Sequence, residues 1–349
     1  MGAAWTGGQY SLVRFVIALT LAWTFASAAA ANIVAAALAL SVAVGFRDRT
    51  TAFFLALLLA SGVGGCALDP ASRWFAIAWL FAHAALPTAP YGSLAARGRE
   101  DAGGGWAMPG WFPAAAVALF VATRLAFGIR ASVEGALSEA IALTTLGLLA
   151  TSSRTLATAW ILSLGFEIGR VLAGGEATSG AWIVHLLAIQ PAWMPPREQW
   201  VTQTVFYDGS CALCHGAVRF LLAEDVEPVR FRLSPLGGDV FLARVPLPER
   251  VHLPDSLVLV DDRGRVHTRS DAVVRILDAL GGLWRPLAFL LRAMPRALRD
   301  AGYDLVARRR YAWFGRKDPA CVLVPPSLRG RFDHDIAEKP PSESDGLLS

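Results

Sequence analysis

The stretch that decides the fold is Phe206-Tyr-Asp-Gly-Ser-Cys-Ala-Leu-Cys-His215, in which two cysteines stand three residues apart. The apolar run Thr204–Tyr207 before it predicts a strand, and Cys211–Ala223 carries apolar residues at helical spacing. A thiol at a helix N-terminus meets unpaired N–H groups and the positive end of the helix dipole, and both favour the thiolate. The motif therefore predicts Cys211 as the attacking thiol, with Cys214 one turn on resolving a mixed disulfide.

The sequence after the motif predicts a small α/β domain. Its predicted elements are a strand at 229–233, a hairpin made of 256–261 and 265–268, and helices at 271–280, 284–293 and 295–310. Ser270 is placed as the N-cap of the helix 271–280. Strand, helix, strand, long loop, hairpin and helix follow one another in the order of the thioredoxin fold. A CxxC pair at the first strand-to-helix junction is where that fold carries redox chemistry.

These residues resemble the DCC family of predicted thiol–disulfide oxidoreductases. Asp208, Cys211 and Cys214 match the three residues from which the family takes its name. Agreement continues in separated blocks, at Asp255–Val260, Arg265–Asp271, Tyr303 and Arg308–Tyr311. The resemblance covers residues 204–332 and implies a thioredoxin-like fold with redox activity at the two cysteines. It implies no particular substrate.

The role of Asp208 is left with two alternatives. An Asp two residues before a Ser and three before the helix is typical of a turn-forming or capping residue. A carboxylate beside two thiols could also carry protons to and from them. An ionised carboxylate would raise the pKa of a neighbouring thiol, so the relay needs a partly protonated or water-linked Asp208.

The first half of the chain has a different composition. The chain has 349 residues, of which 54% are hydrophobic, and its net charge is +4. Residues 1–196 hold ten Arg and eight acidic residues, whereas residues 197–349 hold 22 basic and 20 acidic ones. We therefore predict a multi-span transmembrane domain at 1–196, a thioredoxin-like domain at 200–335 and a disordered tail at 336–349.

Apolar segments succeed one another from residue 10 to residue 194 and predict an α-helical polytopic membrane bundle of about seven to eight spans. The first run, 10–46, is long enough for two helices, and the others lie at 50–67, 72–89, 111–129, 132–151, 155–173 and 181–194. This half loosely resembles the HTTM group of membrane domains. A cleaved signal peptide, with Phe15–Phe25 as its apolar part, is the alternative for the first span.

The arginines in the loops between eight spans would put both termini in the cytoplasm. We therefore expect a protein integral to a bacterial inner membrane with a cytoplasmic C-terminal domain, unless the short segment 181–194 does not cross. Glu139, Glu167, His185 and His83 are expected inside the bundle, where such residues face the interior or mark a pathway. Cys66 is interpreted as a core residue, and Cys321 stands alone in sequence.

The function predicted from these patterns is that of a membrane-tethered thiol–disulfide oxidoreductase. Its only redox group would be the dithiol, with no bound cofactor or metal, and its partners would be membrane lipid and a redox protein or low-molecular-weight thiol. Nucleic acid is not expected, because the charge is mixed. The run Arg308-Arg309-Arg310 is interpreted as a solvated helix end, with contact to lipid headgroups as the alternative.

Three other functions are alternatives to this one. A thioredoxin-like module that only docks or senses, without catalysis, is the main alternative. Cys211-Ala-Leu-Cys-His215 also matches the attachment motif of c-type haem, but the strand before it and the cytoplasmic placement argue against haem. A closed zinc site needs four ligands, and the sequence holds neither a second CxxC nor paired histidines.

Overall fold

The computed structural model divides the chain into two compact units, with the main boundary between Pro195 and Pro196. In the first unit it describes residues 5–27, 32–62, 68, 70–86, 89–97, 106–116, 118, 153–172, 183, 185–186 and 188–195. In the second it describes residues 202–226, 229–251, 253–254, 256–316 and 326–333. The predicted span 132–151, most of 111–129, Glu139, the side chain of Glu167, Cys66, Cys321 and the predicted tail 336–349 lie outside the described residues.

The first unit is helical in its described residues. Its helices are α1 (Gly7–Ser27), α2 (Ile33–Val44), α3 (Asp48–Ser61), α4 (Pro70–Ala84) and α5 (Ser153–Leu172), with 3₁₀ turns at Leu94–Ala96 and Pro191–Trp193. α1 packs against α2, α2 against α3 and α3 against α4. Gly45 ends α2 with φ at 70°, and a side chain there would collide with Ser93. Only glycine adopts this backbone without strain, so the chain reverses direction at Gly45.

A buried polar network ties α1, α3 and α4 together. Arg14 in α1 donates to the Asp48 carboxylate at 3.2 Å, and both side chains are almost fully buried. The Tyr10 hydroxyl lies 2.7 Å from Nδ1 of His83, and the two rings stack with centroids 5.6 Å apart. His83 is therefore a hydrogen-bonded core residue. Paired and bonded in this way, the polar groups can be buried between the helices.

The prediction of a bundle of seven to eight membrane spans is wrong. Among the described residues, α1 alone is long and apolar enough to cross a bilayer, and half of its apolar window is buried inside the protein. The apolar helix α2 has 12 residues, and α3 and α4 have 14 and 15, whereas a span needs about 20. The cytoplasmic placement of the C-terminal domain depended on eight spans, and the shorter helices remove its basis.

The second unit alternates strands and helices. Its elements are β1 (Gln203–Tyr207), α6 (Ala212–Glu224), β2 (Phe231–Pro235), α7 (Asp239–Arg244), α8 (Leu247–Val251), β3 (Val258–Val260), β4 (Val266–Thr268), α9 (Arg269–Leu280), α10 (Trp284–Ala293) and α11 (Arg296–Phe314). A 3₁₀ helix, Pro326–Arg331, follows. The strands and the longer helices follow the order expected from the sequence, but two short helices, α7 and α8, occupy what was predicted as a long loop.

The four strands form one mixed sheet in the order β2-β1-β3-β4. β1 and β2 run parallel, with Val205 opposite Leu233, and β3 runs antiparallel to both β1 and β4. The parallel pair needs a crossover, which α6 provides. β1 is therefore a central strand, buried along its whole length, and its carboxyl end points the chain directly into the motif.

Helices cover the sheet through apolar contacts. On one face, Phe206 of β1 packs with Phe241 of α7 and with Val245, Val258 and Val260. Neighbouring residues of a strand point to opposite faces, so the fully buried Val205 belongs to the other face. α9 packs against β3 and β4, and α11 packs against both α9 and α6. This packing brings the C-terminal helix next to the helix that carries the two cysteines.

The start of α9 differs from the prediction. The helix begins at Arg269, with Thr268 at the N-cap position, so Ser270 lies inside the first turn. The Ser270 hydroxyl and backbone N–H both donate to the Asp300 carboxylate of α11. The Ser270 hydroxyl, which the sequence pattern assigned to a helix cap, therefore donates to a carboxylate on another helix instead.

Candidate active site

The motif loop between β1 and α6 is held by the side chain of Asp208. One carboxylate oxygen accepts hydrogen bonds from the backbone N–H of Ser210 at 2.9 Å and from its hydroxyl at 2.7 Å. The Cys211 N–H donates to the Asp208 carbonyl at 3.3 Å. An Asp that binds the backbone two residues on stabilises a tight turn. This turn delivers Cys211 to the N-cap position of α6, where its side chain makes no capping hydrogen bond.

Cys211, the predicted attacking thiol, is fully buried. The backbone after α11 pairs with the backbone at Cys211. Cys211 and Arg316 form an isolated antiparallel bridge, and the Ala212 N–H donates to the Gly315 carbonyl at 3.4 Å. Gly315 has φ at 82°, a conformation that glycine adopts without strain, and it turns the chain at the end of α11. The predicted nucleophile is thus enclosed by protein.

Cys214, the predicted resolving thiol, is half-buried and carries a free thiol, as Cys211 does. Burial raises the pKa of the Cys214 thiol to about 12, helped by its hydrogen bond to the Cys211 sulfur and by the charge that develops on Cys211. The Asp208 N–H and the Arg310 charge act in the opposite direction and are outweighed. The Cys214 thiol therefore interacts with Cys211 and remains protonated at neutral pH.

A cavity of about 80 Å³ opens beside Cys214. Its apolar lining comes from Leu213, Leu236, Leu257, Val306 and Ala307, and its polar lining from Asp208, Ser256, Tyr303 and Arg310. The Leu257 N–H donates to the Tyr303 hydroxyl at 2.9 Å, which fixes the loop before β3 against α11. Cys211 is not among the lining residues, so the cavity meets the redox pair through Cys214.

The second carboxylate oxygen of Asp208 binds the end of α11. Arg310 donates to it at 3.0 Å, and the Tyr311 hydroxyl donates to it as well. Burial acts to raise the pKa of Asp208, but the hydrogen bonds from Tyr311, Ser210 and Arg310 outweigh it and lower that pKa to about 2. Asp208 is consequently ionised at neutral pH with both oxygens engaged, an arrangement that suits an anchor better than a proton carrier.

Arg310 and Tyr311 are the site residues that the reasoning from the motif missed. Arg310 is buried against Asp208, not solvated as the run Arg308-Arg309-Arg310 suggested. The Tyr311 ring lies between two guanidinium groups, at 4.6 Å from Arg310 and 4.8 Å from Arg316. The only available signal was that 308–311 belong to a block shared with the family; a charge run by itself does not reveal which arginine turns inward.

His215 holds the motif loop through a hydrogen bond to the loop backbone. Its ring is buried, and Nε2 lies 2.6 Å from the Gly209 carbonyl, to which it donates. The nitrogen that would face a metal or haem iron is therefore engaged with the backbone. Among the residues that the structure describes, no three His, Cys, Asp or Glu side chains are grouped as metal ligands would be.

Comparison with known proteins identifies the second unit. Residues 205–316 match the model of the DCC1-like thiol–disulfide oxidoreductase family. The uncharacterized protein YuxK of Bacillus subtilis is 37% identical over 137 residues, which are 39% of this chain and 96% of that protein. A chloroplastic DCC family protein of Arabidopsis thaliana is 35% identical over 122 residues, which are 34% of this chain and 68% of that protein. No solved structure matches.

The family match lies inside the second unit, so the loose likeness of residues 1–196 to HTTM domains stays a prediction. Within the match, Asp208, Cys211 and Cys214 stand at one strand-to-helix junction, with their side chains or backbone groups in mutual contact. The chain therefore belongs, through its C-terminal unit, to the DCC1-like family of thiol–disulfide oxidoreductases.

Proposed function

We propose that the protein exchanges electrons with thiol partners by interconverting the dithiol and the disulfide of Cys211 and Cys214, at a membrane to which α1 tethers it. The observation that carries the proposal is the pair of free thiols, Cys211 and Cys214, one turn apart at the N-terminus of α6, with Cys214 lining a cavity. Cysteines three residues apart at a helix N-terminus can form a disulfide, and the helix end stabilises the thiolate that exchange requires.

The tether is supported by the composition of α1. This helix has 21 residues, enough to cross the roughly 30 Å core of a bilayer. Its surface carries exposed apolar side chains, Trp23 among them at 75% exposure. The buried Arg14 is neutralised by Asp48, which removes the charge that would oppose insertion. Lipid would then be one partner, and a redox protein or a small thiol the other.

We propose the dithiol as the sole redox group of this site. The hydrogen bond from His215 Nε2 to the Gly209 carbonyl supports this choice over haem attachment, because a haem-ligating His215 would have to give that bond up. Asp208 acts in this proposal as the anchor that joins the motif loop to α11, because its carboxylate is ionised and its oxygens are occupied.

A non-catalytic sensing or docking module is the second candidate, and one observation favours it. Cys211 is fully buried, and a sulfur without access to solvent can serve a structural or regulatory thiol pair. The two candidates differ in turnover, since a sensor changes state once whereas an oxidoreductase cycles repeatedly.

The test is turnover of a model disulfide by the full chain. We expect the wild-type protein to accelerate reduction of a peptide disulfide by dithiothreitol, and Cys211→Ser and Cys214→Ser each to lose that acceleration by about 100-fold or more. Cys66→Ser is the matched control, because Cys66 lies outside the motif. If wild-type and both motif variants give the same rate as dithiothreitol alone, the proposed function is wrong and the sensing module remains.

A further inference from the structure

We propose that the sulfur of Cys214 forms the mixed disulfide with the partner, and that Cys211 is the sulfur released from the internal disulfide. This order is the reverse of the one that the motif predicts. It rests on the proposed function, since it assigns the two steps of exchange within the same pair of cysteines. Three observations carry it: the burial of Cys211, the cavity at Cys214 and the position of each sulfur on α6.

Access distinguishes the two sulfurs first. A thiolate that breaks a disulfide must reach the sulfur it attacks, so the accessible sulfur is the one that receives the partner. Cys211 has no exposed surface, and the backbone on either side of it pairs with Gly315 and Arg316. Cys214 is half-buried, and the surface that it does expose lines the cavity between α6, α11 and the loop before β3.

The leaving sulfur is favoured by its place in the helix. Cys211 occupies the N-cap position of α6, where the positive end of the helix dipole favours a negative charge, although its side chain makes no capping hydrogen bond. A thiol whose anion is favoured is the better leaving group in disulfide exchange. Burial keeps the pKa of Cys214 raised to about 12. Attack at Cys214 thus expels the sulfur that lies at the helix N-terminus.

The chemistry balances over two exchanges. A partner thiolate attacks the Cys214 sulfur and a bond forms between the partner sulfur and Cys214. The Cys211–Cys214 bond breaks with its electron pair on Cys211. A second partner thiolate attacks the partner's sulfur in the mixed disulfide and releases Cys214, which takes up a proton. Two partner thiols have then been oxidised to one disulfide, the internal disulfide has been reduced, and both protons have moved to the protein's thiols. In the reverse sequence Cys214 gives up its proton as it attacks a partner disulfide, and Cys211 then attacks Cys214, so that the partner disulfide is reduced and the internal disulfide forms again.

The walls of the cavity near Cys214 are mainly apolar. Leu236, Leu257 and Val306 make most of the surface near Cys214 apolar, and the backbone N–H of Leu257 is already used by Tyr303. The Arg310 charge is paired with Asp208. A small uncharged thiol therefore matches the cavity, and 2-mercaptoethanol is a suitable probe.

The direct test locates the mixed disulfide. The full chain carrying Cys66→Ser and Cys321→Ser is oxidised, treated briefly with 2-mercaptoethanol, and trapped with N-ethylmaleimide before fragmentation in a mass spectrometer. We expect the mercaptoethanol adduct on Cys214 and the maleimide on Cys211, in about tenfold excess over the opposite arrangement. The opposite arrangement overturns the order while leaving the proposed function intact. If no internal disulfide forms under oxidation, both fail.

A cavity-filling variant tests the route independently. Ala307→Leu places extra atoms in the cavity, whereas Ala301→Leu adds the same side chain on an exposed turn of the same helix. We expect Ala307→Leu to slow mixed-disulfide formation about tenfold while Ala301→Leu leaves the rate unchanged. Ala307→Val is the smaller substitution if the leucine prevents folding. Equal rates for the filled and control variants would overturn the cavity as the route to Cys214.

Discussion

Two aspartates of the second unit both form ion pairs with arginine side chains, but they lie in different surroundings. Asp225, just after α6, accepts hydrogen bonds from the backbone N–H groups of Arg230 and Phe231 and pairs with the side chains of Arg230 and Arg331. Its side chain is completely buried, whereas that of Asp208 is 21% exposed. Each aspartate ties a distant C-terminal segment to an end of α6.

The difference lies in what borders each aspartate. Asp225 is enclosed by its partners at the far end of α6 from the motif, where Arg331 also donates to the Phe231 and Asp225 carbonyls. Asp208 lines the cavity that meets Cys214. We therefore expect the ion pairs of Asp225 to stabilise the fold only. We expect those of Asp208 to support both the stability of the fold and thiol–disulfide exchange.

The largest expected effect is the loss of Asp225. In Asp225→Ala, two arginines and two backbone N–H groups lose their acceptor in a buried place, and removing one partner of a buried pair costs about 3–5 kcal/mol. Chemical denaturation of the full chain measures this. The exchange rate per folded molecule should stay at the wild-type value. A variant of normal stability, or a folded variant with impaired exchange, would erase the contrast with Asp208.

Asp208→Asn should have a smaller effect on stability and a larger one on exchange. The amide keeps the turn to Ser210 but weakens the contacts with Arg310 and Tyr311, which should cost about 1.5 kcal/mol. Exchange should slow about tenfold, because α11 and the cavity wall it carries lose their attachment to the motif loop. Asp262→Asn, on an exposed turn, is the matched control. Unchanged exchange in Asp208→Asn would remove the functional half of the comparison.

The stability contributed by Asp208 should depend on pH in a defined direction. Its folded pKa, about 2, lies below the unfolded value of 3.8. A lowered pKa contributes stability that is fully present above the unfolded value and is lost as the pH falls towards the folded value. The difference in Tm between wild-type and Asp208→Asn should therefore be constant from neutral pH to about pH 4.5 and shrink below it. A difference that grows on acidification would contradict the ionised anchor.

Tyr311→Phe should have the smallest effect. It removes the hydroxyl that donates to Asp208 and accepts from Arg310 at 3.0 Å, and it keeps the ring near Arg310 and Arg316. The expected loss is about 0.5–1.5 kcal/mol, the net value of the bond to Asp208, because Arg310 keeps its own bond to that carboxylate. Thermal denaturation beside Asp208→Asn gives the comparison. A loss as large as that of Asp208→Asn would mean that the hydroxyl, and not the arginine, carries the attachment.

The local part of the second unit could be predicted from the sequence. A short apolar run placed β1, helical apolar spacing placed α6, and the turn residues at Asp208-Gly209 placed the motif between them. The pairing of Asp208 with Arg310 could not be predicted, because the two residues are 102 positions apart and three arginines stand in a row. Ser270 failed as a cap for the same reason, since its acceptor, Asp300, lies on another helix.

The number of spans in the first unit was predicted wrongly, because apolar composition does not by itself give the length of a helix. Within the apolar run 10–46, α2 has only 12 residues and ends at Gly45, just before Arg47-Asp48-Arg49. The pairing of Arg14 with Asp48, which makes a charge tolerable inside the helices, joins residues 34 positions apart. Helix length and ion pairing are tertiary properties, and the hydropathy of a window contains neither.

The central claim is that Cys211 and Cys214 form one redox pair. Its most direct test equilibrates the full chain with glutathione buffers of graded potential and counts the thiols that then react with a maleimide. We predict that Cys211 and Cys214 become unreactive together, in a single two-electron transition, without bound glutathione at the midpoint. Separate glutathionylation of the two cysteines, or thiols that stay reactive throughout the series, would contradict it.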